Sequence, residues 1–239
     1  NRRSKWAVHN GRRYEQVLRR TRDHVQTRHS EQPASYQQAR KSKRQRAKTQ
    51  GKILLRVKRL VATVSLSIAV LLVAAQLVLL SPHLVSVQVQ HEAHPTLSNE
   101  TLSYLEGDTR IPSAFNEREA SHMADVRNVF VIAGVLGLVF FFIAGITSRN
   151  LTLTVQDTCG VVTVFLITQA VLATTQFTAW FNAAHTVFFE AGTWVFPRGS
   201  VLLQMYPEQF FVETGALYAC YVATLLIATC LVAYSLRDY

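Results

Sequence analysis

The sequence predicts an all-α membrane protein with four transmembrane helices and two large loops on one side of the membrane. The first observation is that its 49% hydrophobic residues are concentrated in four runs without a charged residue, at about 60–80, 129–147, 158–181 and 215–236. A helix of about 20 apolar residues spans the ~30 Å hydrocarbon core of a bilayer. The second observation is the separation of charge along the chain, which predicts how these helices are oriented.

Residues 1–59 form a strongly basic tail, which we expect to be flexible or a surface helix in the cytoplasm. The tail contains 19 Lys and Arg against 3 Asp and Glu, whereas residues 60–239, the predicted membrane domain, contain 6 against 12. Positively charged segments stay on the cytoplasmic side, and four spans then place both termini there. Lys and Arg beside a span also bind anionic lipid headgroups, at ~1 kcal/mol each. We therefore expect membrane lipid, and no nucleic acid, as the partner of the tail.

The loops 81–128 and 182–214 face outward in this topology, and the short connection 148–157 faces the cytoplasm. Five of the eight histidines lie in or beside the outward loops: His83, His91, His94, His122 and His185. Histidine both takes and gives a proton near neutral pH, so we expect a site on this face. The spacing of His91 and His94 would suit a metal ion. Because Pro95 follows and no further ligand pattern surrounds the pair, we expect no metal site.

The stretch 115–130, FNEREASHMADVRNVF, predicts a helix that extends the second span outward. Asn116, or Ser113 before it, is a helix-capping residue, and the acidic residues of the next turn suit the positive end of a helix. The polar side chains of this helix would therefore lie outside the hydrocarbon core, beside the outward loops.

Glu119, His122 and Asp125 are spaced i, i+3 and i+6, which confines them to one face of that helix. A carboxylate beside a histidine fixes the tautomer of the ring and raises its basicity, which is the orienting half of a catalytic dyad. Arg127 lies two residues beyond Asp125, near the start of the apolar run. The alternative is a solvated helical turn with ordinary ion pairs.

The second outward loop combines His185 with a high density of aromatic residues and with three glutamates. We expect this loop to dip back into the membrane surface and to shape a cleft for acyl chains. The residues expected to contact the substrate are Phe188, Phe189, Trp194, Phe196, Glu208 and Phe211. The alternative is an interfacial aromatic belt that only marks the depth of the lipid headgroups.

The two motifs together resemble those of the lipoprotein intramolecular transacylases, four-span bacterial membrane proteins of Gram-positive type. The resemblance rests on E-x-x-H-x-x-D-V at 119–126 and on H-x-x-F-F…W-x-F…P-E-x-F-F, which begins at His185 and ends at Phe211. It covers residues 60–239 and leaves the basic tail outside. Two features depart from the family pattern: Ser200 stands where the family has an acidic residue, and the segment around it is one residue shorter.

The resemblance implies a cell-membrane acyltransferase with a diacylated lipoprotein as substrate and its active site on the extracytoplasmic face. One fatty acyl chain would move from the diacylglyceryl group of the N-terminal cysteine to the α-amine of that cysteine, giving a lyso-form lipoprotein. We expect His185 to act as general base and then acid, and His122, oriented by Asp125 or Glu119, as the second polar catalyst. Arg127 or a loop N–H would stabilise the oxyanion. This reaction needs no cofactor and no serine or cysteine nucleophile.

Two rival functions use the same features. A phospholipid hydrolase or acyltransferase would act through the same histidines, and it predicts altered phospholipid beside unchanged diacylglyceryl lipoprotein. A non-enzymatic membrane scaffold would recruit partners through its tail. The scaffold predicts that alanine at His122 or His185 leaves lipids and lipoproteins unchanged, whereas loss of the tail is damaging.

Overall fold

A computed structural model describes residues 34–81, 95–108 and 110–236 and, near the N-terminus, Arg19, Arg20 and Arg22. The secondary structure of these residues is helical, which confirms the predicted all-α class. The helices are α1 (Ala34–Leu79), α2 (Pro95–Glu106), α3 (Glu117–Thr147), α4 (Leu151–Thr175), α5 (Phe177–Phe188), α6 (Val201–Met205) and α7 (Glu208–Ser235).

Four of these helices, α1, α3, α4 and α7, are long and apolar enough to cross a membrane, which confirms the four spans of a multi-pass membrane protein. α1 and α3 end at Leu79 and Thr147, within one residue of the predicted ends. α3 begins at Glu117, well before its apolar run, as the capping pattern predicts. The cap is Asn116, whose side chain accepts a hydrogen bond from the N–H of Glu119 at 3.0 Å.

The structure differs from the predicted third span, 158–181, because the chain breaks into two helices there. α4 ends at Thr175, and α5 begins after the non-helical residue Gln176. The hydroxyls of Thr174 and Thr175 donate to carbonyl oxygens of the preceding turn at 2.8 and 2.6 Å, a contact that often bends helices. α5 is therefore a separate short helix, and it carries His185 in its last turn.

The chain divides into two compact units, Asn1–Arg56 and Val57–Tyr239. The predicted boundary between tail and membrane domain, after residue 59, lies close to this division. In the first unit the residues from Ala34 onward are helical, and their Lys and Arg side chains are exposed. The histidines that shortly precede Pro95, where no metal site was expected, lie outside the described residues.

Helix α1 is central to the second unit. Half of its most apolar stretch is buried, against 11% to 17% for the other three long helices. Gly137 of α3 lies so close to α1 that a Cβ atom there would be 3.4 Å from the Cβ of Leu72, an approach that small residues allow. Gln76 of α1 also donates from Nε2 to the carbonyl of Phe130 in α3 at 2.8 Å. These contacts fix α3, and the residues at its outer end, relative to α1.

The two ends of the apolar part of α1 have different surroundings. At its start, Arg59 forms a bidentate ion pair with Asp157 of α4, with N···O distances of 2.6 and 2.8 Å. At its other end, Leu79 packs in one cluster with Leu102 of α2 and Phe210 of α7. The beginning of α4 therefore lies at the Arg59 end of the bundle, and the two large loop regions meet at the Leu79 end.

Candidate active site

The Leu79 end of the bundle contains a mostly apolar cavity of about 380 Å³. This volume is within the range of about 300 to 1,000 Å³ that is typical of small-molecule sites. Six helices and the segment 189–196 line it, and its wall includes Leu79, Leu102, Met123, Phe130, Leu202 and Phe210. A wall of this composition favours the apolar part of a ligand.

Two histidines that are distant in the sequence meet at this cavity. His122 belongs to the second turn of α3, where the capping box fixes the start of the helix, and His185 belongs to the last turn of α5. Their ring centroids are 6.2 Å apart, and their ring planes are inclined by 24°. The ring of Phe189 contacts both imidazoles, at centroid distances of 4.8 and 5.4 Å. One ligand of ordinary size can therefore touch both histidines.

The protonation state of His185 is set by its own helix. Its Nδ1 lies 2.8 Å from the carbonyl oxygen of Phe181. A carbonyl can only accept, so Nδ1 carries the proton and the neutral ring has its lone pair on Nε2. Burial lowers the pKa of His185, and the Phe181 carbonyl partly opposes this effect. Because the pKa lies below its usual value, the ring is neutral at pH 7, which is the state a general base requires.

Three polar atoms of the cavity wall are buried and make no hydrogen bond to the described residues: Nδ1 of His122, Nε1 of Trp194 and Oγ1 of Thr214. His122 as a whole is 8% exposed. A buried polar group without a partner costs about 1 to 3 kcal/mol, so folded proteins seldom retain several together without a functional reason. These atoms indicate where a ligand would supply polar groups to an otherwise apolar cavity.

Glu119 occupies a different position from the one expected beside His122. It is 1% exposed, and its carboxylate accepts hydrogen bonds from the Ser200 hydroxyl at 2.6 Å and from the Leu202 N–H at 3.3 Å. The same carboxylate accepts the N–H of Asn116 at 3.0 Å, which completes the capping box of α3. Glu119 therefore connects the starts of α3 and α6. The hydrogen bonds of its carboxylate go to these two helix starts and not to the imidazole of His122.

Asp125 and Arg127 also differ in their surroundings from the expected catalytic arrangement. Asp125 lies one turn beyond His122, but no hydrogen bond joins the two side chains among the described residues. The guanidinium of Arg127 donates to the carbonyls of Gly107 and Asp108 and lies over the ring of Tyr104. Arg127 is not among the residues that line the cavity. Its contacts hold the end of α2 against α3, and its guanidinium already binds two carbonyls.

The expected substrate-contacting residues divide into two groups. The larger group lines the cavity: Phe189, Trp194, Phe196 and Phe211. Phe188, in contrast, is 60% exposed, and Glu208 is exposed in the first turn of α7; neither lines the cavity. Some aromatic side chains of this loop therefore line the cavity, and others are exposed on the protein surface.

Part of the cavity wall was not predicted from the sequence. It consists of residues of α2 together with Tyr206 and Phe210. A signal for α2 is present, because Leu97, Thr101 and Leu105 recur at helical spacing, and the first two are buried. No comparable signal exists for Tyr206, which lies in the non-helical turn between α6 and α7.

The chain is similar to one known family in sequence and in fold. The family model for the lipoprotein intramolecular transacylase Lit matches residues 53–211. The crystallised membrane integral lipoprotein intramolecular transacylase Lit from Bacillus cereus is 20% identical, with a TM-score of 0.61 over 79% of this chain and 96% of that chain. A histidine-to-arginine mutant of that protein is 21% identical, with a TM-score of 0.61 over 82% and 95% of the two chains. A comparison with curated proteins finds no match.

Replacing Glu119 tests its connecting role. Glu119→Ala should lower the free energy of unfolding by about 3 kcal/mol, because three donors, two of them buried, lose their charged acceptor. Ser200→Ala removes one of these bonds and should lower it by about 1 to 2 kcal/mol. Denaturant unfolding in detergent, followed by tryptophan fluorescence, measures both. Glu100→Ala, at an exposed position of α2, is the control and should change stability by less than about 0.5 kcal/mol. Equal effects of Glu119→Ala and Glu100→Ala would contradict the connecting role.

Proposed function

Because the chain belongs to the lipoprotein intramolecular transacylase family, we propose that it moves one fatty acyl chain within a diacylated lipoprotein. The chain leaves the glyceryl oxygen of the N-terminal diacylglyceryl-cysteine and joins the α-amine of the same cysteine. The product is a lyso-form lipoprotein with an amide-linked acyl chain and a free glyceryl hydroxyl. The observation that carries the proposal is the pair of imidazoles, His122 and His185, at the wall of one apolar cavity.

The cavity suits the two chemically different parts of such a substrate. Its apolar wall, with Phe189, Phe196 and Phe211, would bury an acyl chain. The ester carbonyl and the α-amine would then lie beside His122 and Trp194, where they supply the hydrogen-bonding partners that these side chains lack within the described protein. Because the amine and the ester belong to one molecule, the protein only has to hold them in contact.

His185 is the general base of the proposed reaction. An α-amine has a reference pKa of ~7.7 to 8.0, so it first loses the third proton of its ammonium form to water, and the neutral amine is the form that attacks the ester. As the amine nitrogen bonds to the ester carbon, the lone pair of His185 Nε2 takes one of the two protons that remain on that nitrogen. When the tetrahedral intermediate collapses, the C–O bond to glycerol breaks and His185 returns the proton to the glyceryl oxygen. One imidazole thus acts in both halves of the reaction, with no change in its hydrogen bond to Phe181.

The oxyanion of the tetrahedral intermediate needs donors, and Trp194 is our candidate in place of Arg127. The indole Nε1–H of Trp194 is buried at the cavity wall and has no acceptor among the described residues, and the ring lies edge-on to His185 at a centroid distance of 5.7 Å. His122, the second polar catalyst, would donate a ring N–H from the other side. Donors held in an apolar cavity stabilise developing charge more strongly than water does.

The membrane orientation follows from the charge distribution. Residues 1–59 carry a net charge of +16, so we place the tail and both termini in the cytoplasm. The ion pair of Arg59 and Asp157 lies at the start of the apolar part of α1, and the cavity lies at the other end of that helix. The active site then opens on the extracytoplasmic face. The exposed Lys and Arg of the tail would bind anionic lipid headgroups on the inner face.

His185→Ala should abolish acyl transfer, with a loss of about 100-fold or more, because the proton acceptor and donor are both removed. The measurement is mass spectrometry of the N-terminal lipopeptide of a reporter lipoprotein made in cells with either variant. Wild type should give N-acylated, monoacylglyceryl cysteine, and His185→Ala should leave the diacylglyceryl form. Thr186→Ala, at the exposed neighbouring residue, is the matched control and should behave as wild type. Full conversion by His185→Ala would contradict the assignment of the base.

Trp194→Phe should lower kcat by about 10- to 100-fold while KM changes little, because an oxyanion donor acts in the transition state and phenylalanine keeps the aromatic wall. The measurement is the initial rate of conversion of a diacylglyceryl lipopeptide in detergent or lipid nanodiscs. A rise in KM at unchanged kcat would instead assign Trp194 to acyl-chain binding alone.

A further inference from the structure

An open polar depression of about 760 Å³ adjoins the apolar cavity. The start of α3 forms one side of it, and the segment that follows α5 forms the other. Its lining is Asn116, Glu117, Arg118, Ser121, His122 and the stretch 190–193. Most of these side chains are polar or charged, in contrast to the wall of the cavity. The depression therefore favours a hydrated, polar ligand.

His122 lines both the depression and the cavity. It is 8% exposed, and its Nδ1 makes no hydrogen bond to the described residues. The polar and apolar spaces thus meet at an imidazole with an unpaired nitrogen. A ligand whose polar and apolar parts join at a reactive group would place that group at His122 and extend one part into each space.

The charge of the depression is negative. Glu117 and Glu190 are exposed on its two sides. Arg118 supplies one opposing positive charge, so the lining has a net charge of −1, and its guanidinium is held by the carbonyl of Gly192 and lies 5.7 Å from the ring centroid of Phe196. Residues 81–128 and 182–214 as a whole contain 4 Arg against 10 Asp and Glu. The phosphate of a lipid headgroup would be repelled here, whereas an ammonium or guanidinium group would be attracted.

We propose that this depression binds the peptide that follows the lipidated cysteine, and that Glu117 and Glu190 favour Lys or Arg among its first residues. The inference rests on the proposed function, since that reaction requires a cysteine at His122 with its acyl chains in the cavity. The peptide then has to leave through a polar space. Carboxylates accept hydrogen bonds from its amide N–H groups and from its cationic side chains.

The test compares wild type with the double variant Glu117→Gln, Glu190→Gln on three diacylglyceryl substrates. One carries a peptide with four lysines, one a peptide with four glutamates, and one only cysteine amide. Loss of two exposed carboxylates should raise KM for the lysine substrate about 3- to 10-fold at unchanged kcat, and the difference should shrink at high salt. KM for cysteine amide should stay the same, and KM for the glutamate substrate should fall. Glu100→Gln removes an exposed carboxylate outside the depression and is the matched control.

Two results would overturn the subsite: equal changes in KM for the lysine substrate and cysteine amide, or no change for either. Failure of the proposed function is a separate outcome, since wild type would then convert none of the three substrates. In that event, a binding measurement tests the subsite instead. The lysine lipopeptide, with its α-amine acetylated, is titrated against the 239-residue chain in nanodiscs. Weaker binding to the double variant than to Glu100→Gln supports it, and equal binding contradicts it.

Discussion

The buried carboxylate of Glu119 is the constraint on which the site depends. It accepts hydrogen bonds at the start of α3 and at the start of α6. One carboxylate therefore joins the first outward loop region to the second. A carboxylate that is 1% exposed is tolerated only when such bonds surround it. Ser200 donates the shortest of these bonds. The segment that carries Trp194 and Phe196 is thereby held over the cavity.

The break after Thr175 has an equally direct consequence for the chemistry. A single helix through 158–181 would have continued along the bundle. The separate helix α5 instead places the ring centroid of His185 6.2 Å from that of His122. Aromatic rings surround the two imidazoles, and burial lowers the pKa of His185 below its usual value. The apolar cavity and the polar depression meet at His122, and under the proposed function they would receive the apolar and polar parts of one substrate.

Sequence reasoning succeeded where one local signal determines the structure. Four uncharged runs gave the spans, and the cap at Asn116 gave the outward extension of α3. It failed where long-range contacts decide. The i, i+3 spacing placed Glu119 beside His122, but only the folded chain brings Ser200 and Leu202 to that carboxylate. Arg127 likewise binds carbonyls at the end of a helix that was not predicted.

If one cavity holds the amine and the ester of a single molecule, acyl transfer stays within that molecule, and an isotope crossover distinguishes this from transfer between molecules. Two diacylglyceryl lipopeptides of different peptide mass, one with deuterated acyl chains, are mixed with the protein in nanodiscs, and the N-acylated products are identified by mass spectrometry. Every product should keep the acyl label of its own peptide. Products that combine one peptide with the acyl chain of the other, or with an acyl chain from bilayer phospholipid, would contradict it.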